Sequence, residues 1–313
     1  MTEADFLALL RPLATHPAAR GLLDDAAVLG DLVLTHDVLV KGIHFRPDDA
    51  PADIAWKLLA VNLSDLSAKG ATPIGVLLGY PLSDADWDEA FVRGLGIALA
   101  HFNVALLGGD TVQGPRVLSL TAIGRTAFAP SRSGARAGDA LWVTGIIGRA
   151  GAGLKFLDRP ELRIDTDPSG WSVDDETRQQ VLDDRRKQAR EEERCIEAYL
   201  RPMPRLAEGR ALAEQATAMM DVSDGLLIDA RRMAEASGLA VRIDLDAVPV
   251  VGERMAAVTA GDDYELLFAL PAGVEPPVSA TRIGSFASGS GLTLRDASGP
   301  VPLPERLGWQ HGI

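Results

Sequence analysis

Aspartates recur in this chain where an apolar run gives way to a turn or a helix: Asp24, Asp25, Asp37, Asp65, Asp110, Asp221 and Asp224. That placement constrains the fold, because strand ends in α/β proteins are where loops and ligands collect. Six or more carboxylates drawn into one pocket repel one another unless cations neutralise them. Carboxylates and water are the ligand set of Mg²⁺, which completes its shell with phosphate oxygens. The pattern therefore points toward metal-assisted phosphoryl transfer, where positioning and charge neutralisation supply most of the catalysis.

Taken singly, several of these acids have plainer readings. Asp24, Asp25 and Asp31 fit a hairpin turn, and Asp221 or Ser223 fits the cap of the helix that follows. Asp65 fits neither, since it lies within an apolar helical pattern one turn after Asn62. Asp110 follows Gly108-Gly109, a pair that lets backbone approach a phosphate closely.

Apolar periodicity places these residues on elements. Residues 26–29 and 32–35 flank Gly30-Asp31 and read as a hairpin. A helix is expected over 53–68, a buried strand over 73–80, a helix over 87–101, a strand at 104–107 and another at 117–124. Residues 127–138 are rich in Gly, Ser, Pro and Arg and mark a boundary. Beyond it a strand at 140–144 leads through a Gly-rich turn to a helix near Ala152. Another helix follows Gly225, and strands are expected at 241–245 and 263–270. A length of 313 residues exceeds what one core usually serves. Two domains are expected, 1–130 and 131–313, with a doubly charged stretch at 158–193 reading as a solvated helical insertion.

Charge and composition exclude several partners. Lys plus Arg number 31 against 44 Asp plus Glu, a net charge of −13. That field repels nucleic acid and anionic membranes, so neither is expected as a partner, and any phosphate site must carry local cations. A single cysteine, Cys195, excludes an internal disulfide and fits a reducing cytoplasm. The N-terminus has acids where a signal peptide has a basic start, and no apolar run nears the roughly 18 residues of a membrane span. No Gly-Lys pair exists to build a P-loop, and no G-x-G-x-x-G opens a βαβ unit. No Ser/His or Cys/His pair suited to nucleophilic catalysis is evident.

An ordered set of motifs resembles one family over nearly the whole chain. Asp24-Asp25-Ala26-Ala27-Val28 resembles G-D-D-A-A-V, and Thr35-His36-Asp37 with Gly42-Ile43-His44-Phe45 resembles T-T-D followed by G-V-H-F. Ala60-Val61-Asn62-Leu63-Ser64-Asp65 resembles A-V-N-L-S-D, and Gly108-Gly109-Asp110-Thr111 resembles G-G-D-T. Arg132-Ser133-Gly134-Ala135 resembles R-S-G-A, Asp221-Val222-Ser223-Asp224-Gly225-Leu226 resembles D-[IV]-S-D-G-L, and Gly261-Asp262-Asp263-Tyr264-Glu265-Leu266 resembles G-E-D-Y-E-L. Gly308-Trp309 closes the set. The family is that of the thiamine-monophosphate kinases, within the superfamily of aminoimidazole ribonucleotide synthetase.

The resemblance implies an α/β plus α+β, PurM-like fold: an N-terminal α/β domain whose sheet pairs across a homodimer, and a C-terminal α+β domain that closes over ATP. It implies that Asp25, Thr35, Asp37, Asp65, Asp110, Asp221 and Asp224 hold several Mg²⁺ ions, with Asp37, Asp65, Asp110 and Asp224 closest to the chemistry. Gly109, Asp110, Arg132 and Ser223 are implied nucleotide contacts, and His44, Asp262 and Trp309 implied contacts to thiamine monophosphate. The implied reaction is in-line attack by the substrate's phosphate on ATP, without a phospho-enzyme. By their residue type alone, His44 also fits a packed core histidine and Trp309 a surface cap. The chain differs from the family pattern at Leu23, His36, Ala260 and Asp262, the last being one methylene shorter than the usual Glu. Two other readings are a superfamily enzyme with a different acceptor and a catalytically silent metal-binding homologue.

Overall fold

The computed structural model describes residues 2–164 and 175–310. Part of the charged insertion, residues 165–174, lies outside the described residues. The chain opens with α1 (Glu3–Leu10), capped by the Thr2 hydroxyl, and then forms the hairpin of β1 (Ala27–Leu29) and β2 (Leu32–Val40). There follow α2 (Pro51–Ala68), β3 (Thr72–Leu82), α3 (Ala85–Phe102), β4 (Ala105–Gln113) and β5 (Val117–Arg125). These strands make a sheet in the order β1-β2-β5-β3-β4, antiparallel except for β3 against β4.

One face of this sheet is covered by α2 and α3, where Leu58, Leu63 and Phe91 pack on Leu118, Leu120 and Ala122. The other face is open, so β3, expected to be buried, is buried on one side only, and Ile74 and Leu77 are exposed. A strand in a sheet covered on both faces reads as a near-continuous apolar run, and a long apolar run alone does not tell one covered face from two.

The second half contains β6 (Ala140–Thr144), α4 (Arg149–Asp158), α5 (Asp175–Leu200), α6 (Leu206–Leu212), β7 (Ala218–Asp221), α7 (Leu226–Ala236) and β8 (Leu239–Asp244). It ends with α8 (Arg254–Thr259), β9 (Leu266–Leu270), β10 (Ala280–Ser288), β11 (Gly291–Asp296) and β12 (Gly299–Val301). The sheet order is β12-β11-β8-β10-β6-β9-β7, with only β8 and β11 parallel. Here both faces of the central strands are covered. Leu141, Val143 and Leu267 pack with α7, whereas Trp142, Phe268 and Met219 pack with Leu212 of α6 and Ala68 of α2.

The long helix α2 belongs to both halves, which explains why nearly all of its sides are buried. It meets α6 at Gly209, where a Cβ would stand 2.1 Å from the Ser67 carbonyl oxygen, so only glycine permits the approach. The charged insertion continues as α5, tied back to the preceding segment by Arg149–Glu191 at 3.0 Å and Arg163–Glu192 at 2.6 Å.

Candidate active site

Between the two halves lies a cavity of about 970 Å³, bounded by β2, α2, α4, α5, the β7–α7 loop, residues 259–264 and the C-terminal segment at 306–309. It is lined by Asp37, His44, Asp65, Asp221, Ser223, Asp224, Asp262 and Trp309, which the sequence distributes over more than 270 positions. Carboxylate oxygens of Asp25, Asp65 and Asp221 lie within 4.8 Å of one another.

Each acid is delivered by a different element. β2 presents Thr35 and Asp37 on the face toward α2, where the Thr35 hydroxyl donates to Asp65 and Asn62 Oδ1 accepts from the Asp37 backbone N–H at 3.1 Å. Asn62 is itself fixed, since its amide donates to the Leu58 carbonyl at 2.9 Å. Asp221 ends β7 and accepts from the Ser64 hydroxyl at 2.6 Å, and the helix after it carries no side-chain cap. The capping role open to Asp221 or Ser223 in the sequence is thus unfilled.

Asp24 and Asp25 form no simple turn pair. Both are buried against Lys69, whose Nζ lies 2.8 Å from Asp25 Oδ2 and also contacts Asp24 and the Met219 carbonyl. Arg132 pairs with Asp25 from the other side. Burial raises the Asp25 carboxyl, but Arg132 and Lys69 outweigh it and hold the group down at about 2.

Its neighbours lack such cations. Burial, followed by the charges of Asp25 and Asp224, pushes Asp37 up to about 6. Burial and the charge of Asp25 push Asp221 up to about 8. Asp65 is raised well above its ordinary value by burial and then by Asp37 and Asp221. Acids this close, buried and short of positive partners, form a site whose stable ionised form calls for added cations. The all-oxygen donor set fits a hard divalent ion such as Mg²⁺.

The G-D-D-Y-E-L motif is wired residue by residue. Asp262 accepts from Lys57 and Tyr264, while both oxygens of Asp263 accept from the Gly148 N–H, at 2.9 and 2.8 Å, at the start of α4. Burial pushes Asp263 up to about 8. Glu265 accepts from the Thr144 hydroxyl at 2.6 Å and pairs with Arg205 at the base of the loop. The strand expected to begin at 263 starts instead at Leu266, because Asp262 and Tyr264 have left-handed backbone angles, φ 67° and 51°. His44 Nδ1 accepts from the Val40 N–H at 2.9 Å, so the neutral ring carries its proton on Nε2. Gly308 packs against Asp224, and the Trp309 N–H donates to the Asp224 carbonyl at 2.8 Å, which brings residues 308 and 309 to the site.

Five expected site residues stand apart from the cavity lining. Asp25 and Thr35 lie just behind it, each beside Asp65, which does line it. Arg132 is turned to Asp25. Gly109 and Asp110 lie in the middle of β4 rather than at a strand end, in a strand exposed along its length. The row Val38, Ser119, Gly79 and Asp110 runs across four strands, so Asp110 is roughly 14 Å from β2 at about 4.8 Å per strand. It shares the sheet face of Val38, opposite that of Asp37. Within one chain, Asp110 does not join the other acids.

Lys57, Lys69, Asp229 and Asp263 were given no role in the sequence reading. Asp229 is fully buried and accepts from the Asp224 N–H at 3.1 Å. A signal existed for Lys57, which falls in the same helical stripe as Ile54, Leu58 and Val61. A lysine in an apolar stripe needs a partner, and the partner comes from more than 200 positions away.

Comparison with known proteins decides the family. Residues 23–126 match the AIR synthase related protein N-terminal domain and residues 136–297 the corresponding C-terminal domain. The thiamine-monophosphate kinase of Caulobacter vibrioides is 38% identical, covering 99% of this chain and 91% of that protein. This chain belongs to the thiamine-monophosphate kinase family. The Salmonella typhimurium member is likewise 38% identical over 80% of this chain and 76% of its own length. The structure of AaThiL complexed with AMPPCP and TMP matches with a TM-score of 0.80 at 27% identity, covering 99% of this chain and 97% of that one. The fold is therefore the two-domain PurM-like fold of that family, and the chain is an enzyme of the kinase class. A HypE–HypF complex, at 17% identity and a TM-score of 0.70, shares the fold alone.

Proposed function

We propose that the enzyme transfers the γ-phosphoryl group of ATP to thiamine monophosphate, giving thiamine diphosphate and ADP, with Mg²⁺ required. The observation that carries this reading is the convergence of Asp25, Asp65 and Asp221 within 4.8 Å, with Asp65 and Asp221 lining the same cavity as His44, Asp262 and Trp309. AaThiL, of the same fold over 97% of its length, is known in complex with AMPPCP, an ATP analogue, and TMP.

Magnesium bound here would neutralise two phosphate chains that otherwise repel each other and the acids. Asp25, Thr35, Asp37, Asp65, Asp221 and Asp224 are its proposed holders. An oxygen of the substrate phosphate attacks the γ-phosphorus, the β–γ bridging bond breaks, and ADP leaves with the electron pair. The nucleophile is already an anion, so no general base is needed. Ser223 orients the nucleotide, and Arg132 exchanges its contact with Asp25 for phosphate oxygens, which its fork suits. Trp309, through its aromatic ring, and His44 are the proposed contacts to the thiamine moiety.

The active form is proposed to be a homodimer in the cytoplasm. The open face and edge of the N-terminal sheet expose Val38, Leu77, Leu106, Leu107 and Val112, apolar surface of the kind that covered interfaces bury. Asp110 sits on this face and Gly109 beside it in the edge strand, so their nucleotide and metal roles are proposed to belong to the assembled dimer rather than to the single chain.

Chromatography of the purified protein incubated with ATP, Mg²⁺ and thiamine monophosphate tests the reaction. Magnesium-dependent thiamine diphosphate with stoichiometric ADP is expected. ATP and magnesium binding with no thiamine diphosphate would move the chain to a different acceptor.

A further inference from the structure

The apolar stripe of α2 contains a charge. Lys57 is 2% exposed, and its Nζ lies 2.7 Å from Asp262 Oδ2 and 3.9 Å from the centre of the Tyr199 ring. The Tyr264 hydroxyl donates to the other oxygen, Oδ1, at 2.9 Å. Both oxygens of Asp262 are therefore held from within the protein, while 33% of its side chain remains exposed. The backbone is pinned as well: the Asp262 N–H donates to the Ser223 carbonyl at 2.7 Å and the Tyr264 N–H to the Val222 carbonyl at 2.8 Å. These contacts keep the two residues in their left-handed angles.

The consequence is electrostatic. An ammonium buried this deeply requires an ionised partner, and the pair as a whole is neutral. A carboxylate neutralised in this way has little net attraction for a cation at a distance. It keeps spare lone pairs, however, since each oxygen has accepted only one bond from Lys57 or Tyr264. What it can still recognise is a nearby N–H donor. A thiamine phosphate carries both kinds of handle, a permanently cationic thiazolium and a neutral aminopyrimidine.

We propose that Lys57 is a positioning and specificity-determining residue, which neutralises Asp262 so that this carboxylate selects the exocyclic amino group of the substrate's pyrimidine rather than its cationic ring. This inference rests on the substrate reading above. It assigns Lys57 a task beyond stability, because a purely structural lysine would leave ligand preference unchanged.

Calorimetric titration of the full-length protein, with Mg²⁺ and AMPPCP present, separates the possibilities. The probes are thiamine monophosphate, its 4-oxo counterpart, and an analogue whose five-membered ring is uncharged. In the wild type the 4-oxo ligand is expected to bind roughly 10- to 100-fold more weakly, the worth of a hydrogen bond to a charged group, and the uncharged-ring analogue within about threefold of the substrate. In Lys57→Met, Asp262 keeps the Tyr264 hydrogen bond but loses its neutralising cation, and the uncharged-ring analogue should now fall at least about tenfold behind the cationic one. Lys57→Arg should restore the wild-type ratio. Equal losses for both analogues in the wild type, or an unchanged ratio in Lys57→Met, overturns the inference while leaving the substrate assignment intact. Should Lys57→Met not fold, the wild-type ratio and Lys57→Arg decide. A wild type that binds ATP analogue but no thiamine monophosphate overturns the substrate reading, and this inference with it.

Discussion

Asp65, a proposed metal holder, is a charge kept at the expense of stability. It stands inside α2 with the Thr35 hydroxyl as a donor and Asp37 and Asp221 as close negative neighbours, and its carboxyl is raised accordingly. Asp65→Asn keeps the shape and the hydrogen bond while removing a charge from the proposed metal site. We expect a loss of transfer on the order of 10³-fold, several kcal/mol of charge stabilisation, at saturating ATP and ordinary magnesium. The metal-free variant should melt no lower than the wild type, since a repelled charge has gone. Steady-state rates and a thermal melt check both halves, and near-normal turnover would remove Asp65 from the metal-holding set. Asp65 was legible from sequence because an acid on an apolar helix has no local excuse. The cations facing its neighbours were not, because Lys69 meets Asp24 and Asp25 across more than 40 residues of chain.

At the scale of elements, β4 is where sequence and structure part most clearly. The Gly-Gly-Asp sequence reads as a strand end, yet the strand runs through it to Gln113. Gly109 is required by packing: a Cβ there would stand 1.9 Å from the Leu78 carbonyl oxygen, and its φ is 154°. Gly109→Ala should therefore displace β4 from β3 and destabilise the protein by more than about 2 kcal/mol, measured by denaturant unfolding. A change below about 0.5 kcal/mol would mean that β4 shifts freely. The α2 pattern, by contrast, was read correctly from its spacing and ends within two residues of expectation at its start, Pro51 being the first helical residue. Its double role, packing on one sheet and meeting the other half through Gly209, needed the tertiary structure.

The whole molecule carries a consequence for pH. Asp37, Asp229 and Asp221 are raised to about 6, 7 and 8, chiefly by burial and then by neighbouring acids, against an ordinary value of 3.8. Groups raised in the folded state contribute stability that is complete below the unfolded value and is lost as pH rises through the folded values. The metal-free protein should thus lose thermal stability progressively from about pH 4 to about pH 8.5, by more than about 4 °C at this chain length. Saturating Mg²⁺ should flatten the decline, because the ionised form is then the one stabilised. Differential scanning calorimetry with and without chelator reads this directly, and a flat metal-free profile would show that the acids are already neutralised within the chain.

By itself the sequence determined the chemistry on offer and the local elements that display it. Residue type and spacing act over a turn or a strand, so the hairpin, α2, the acid motifs and the two-part organisation could be read from them. The tertiary structure decided which acids meet, because contacts across 100 or more positions depend on how the sheets and α2 close. It drew Asp25, Asp65 and Asp221 together and left Asp110 on the open sheet face. It also set Lys57 beneath Asp262, an ion pair that no local pattern specifies, since its partners share no element and only burial makes their charges depend on each other.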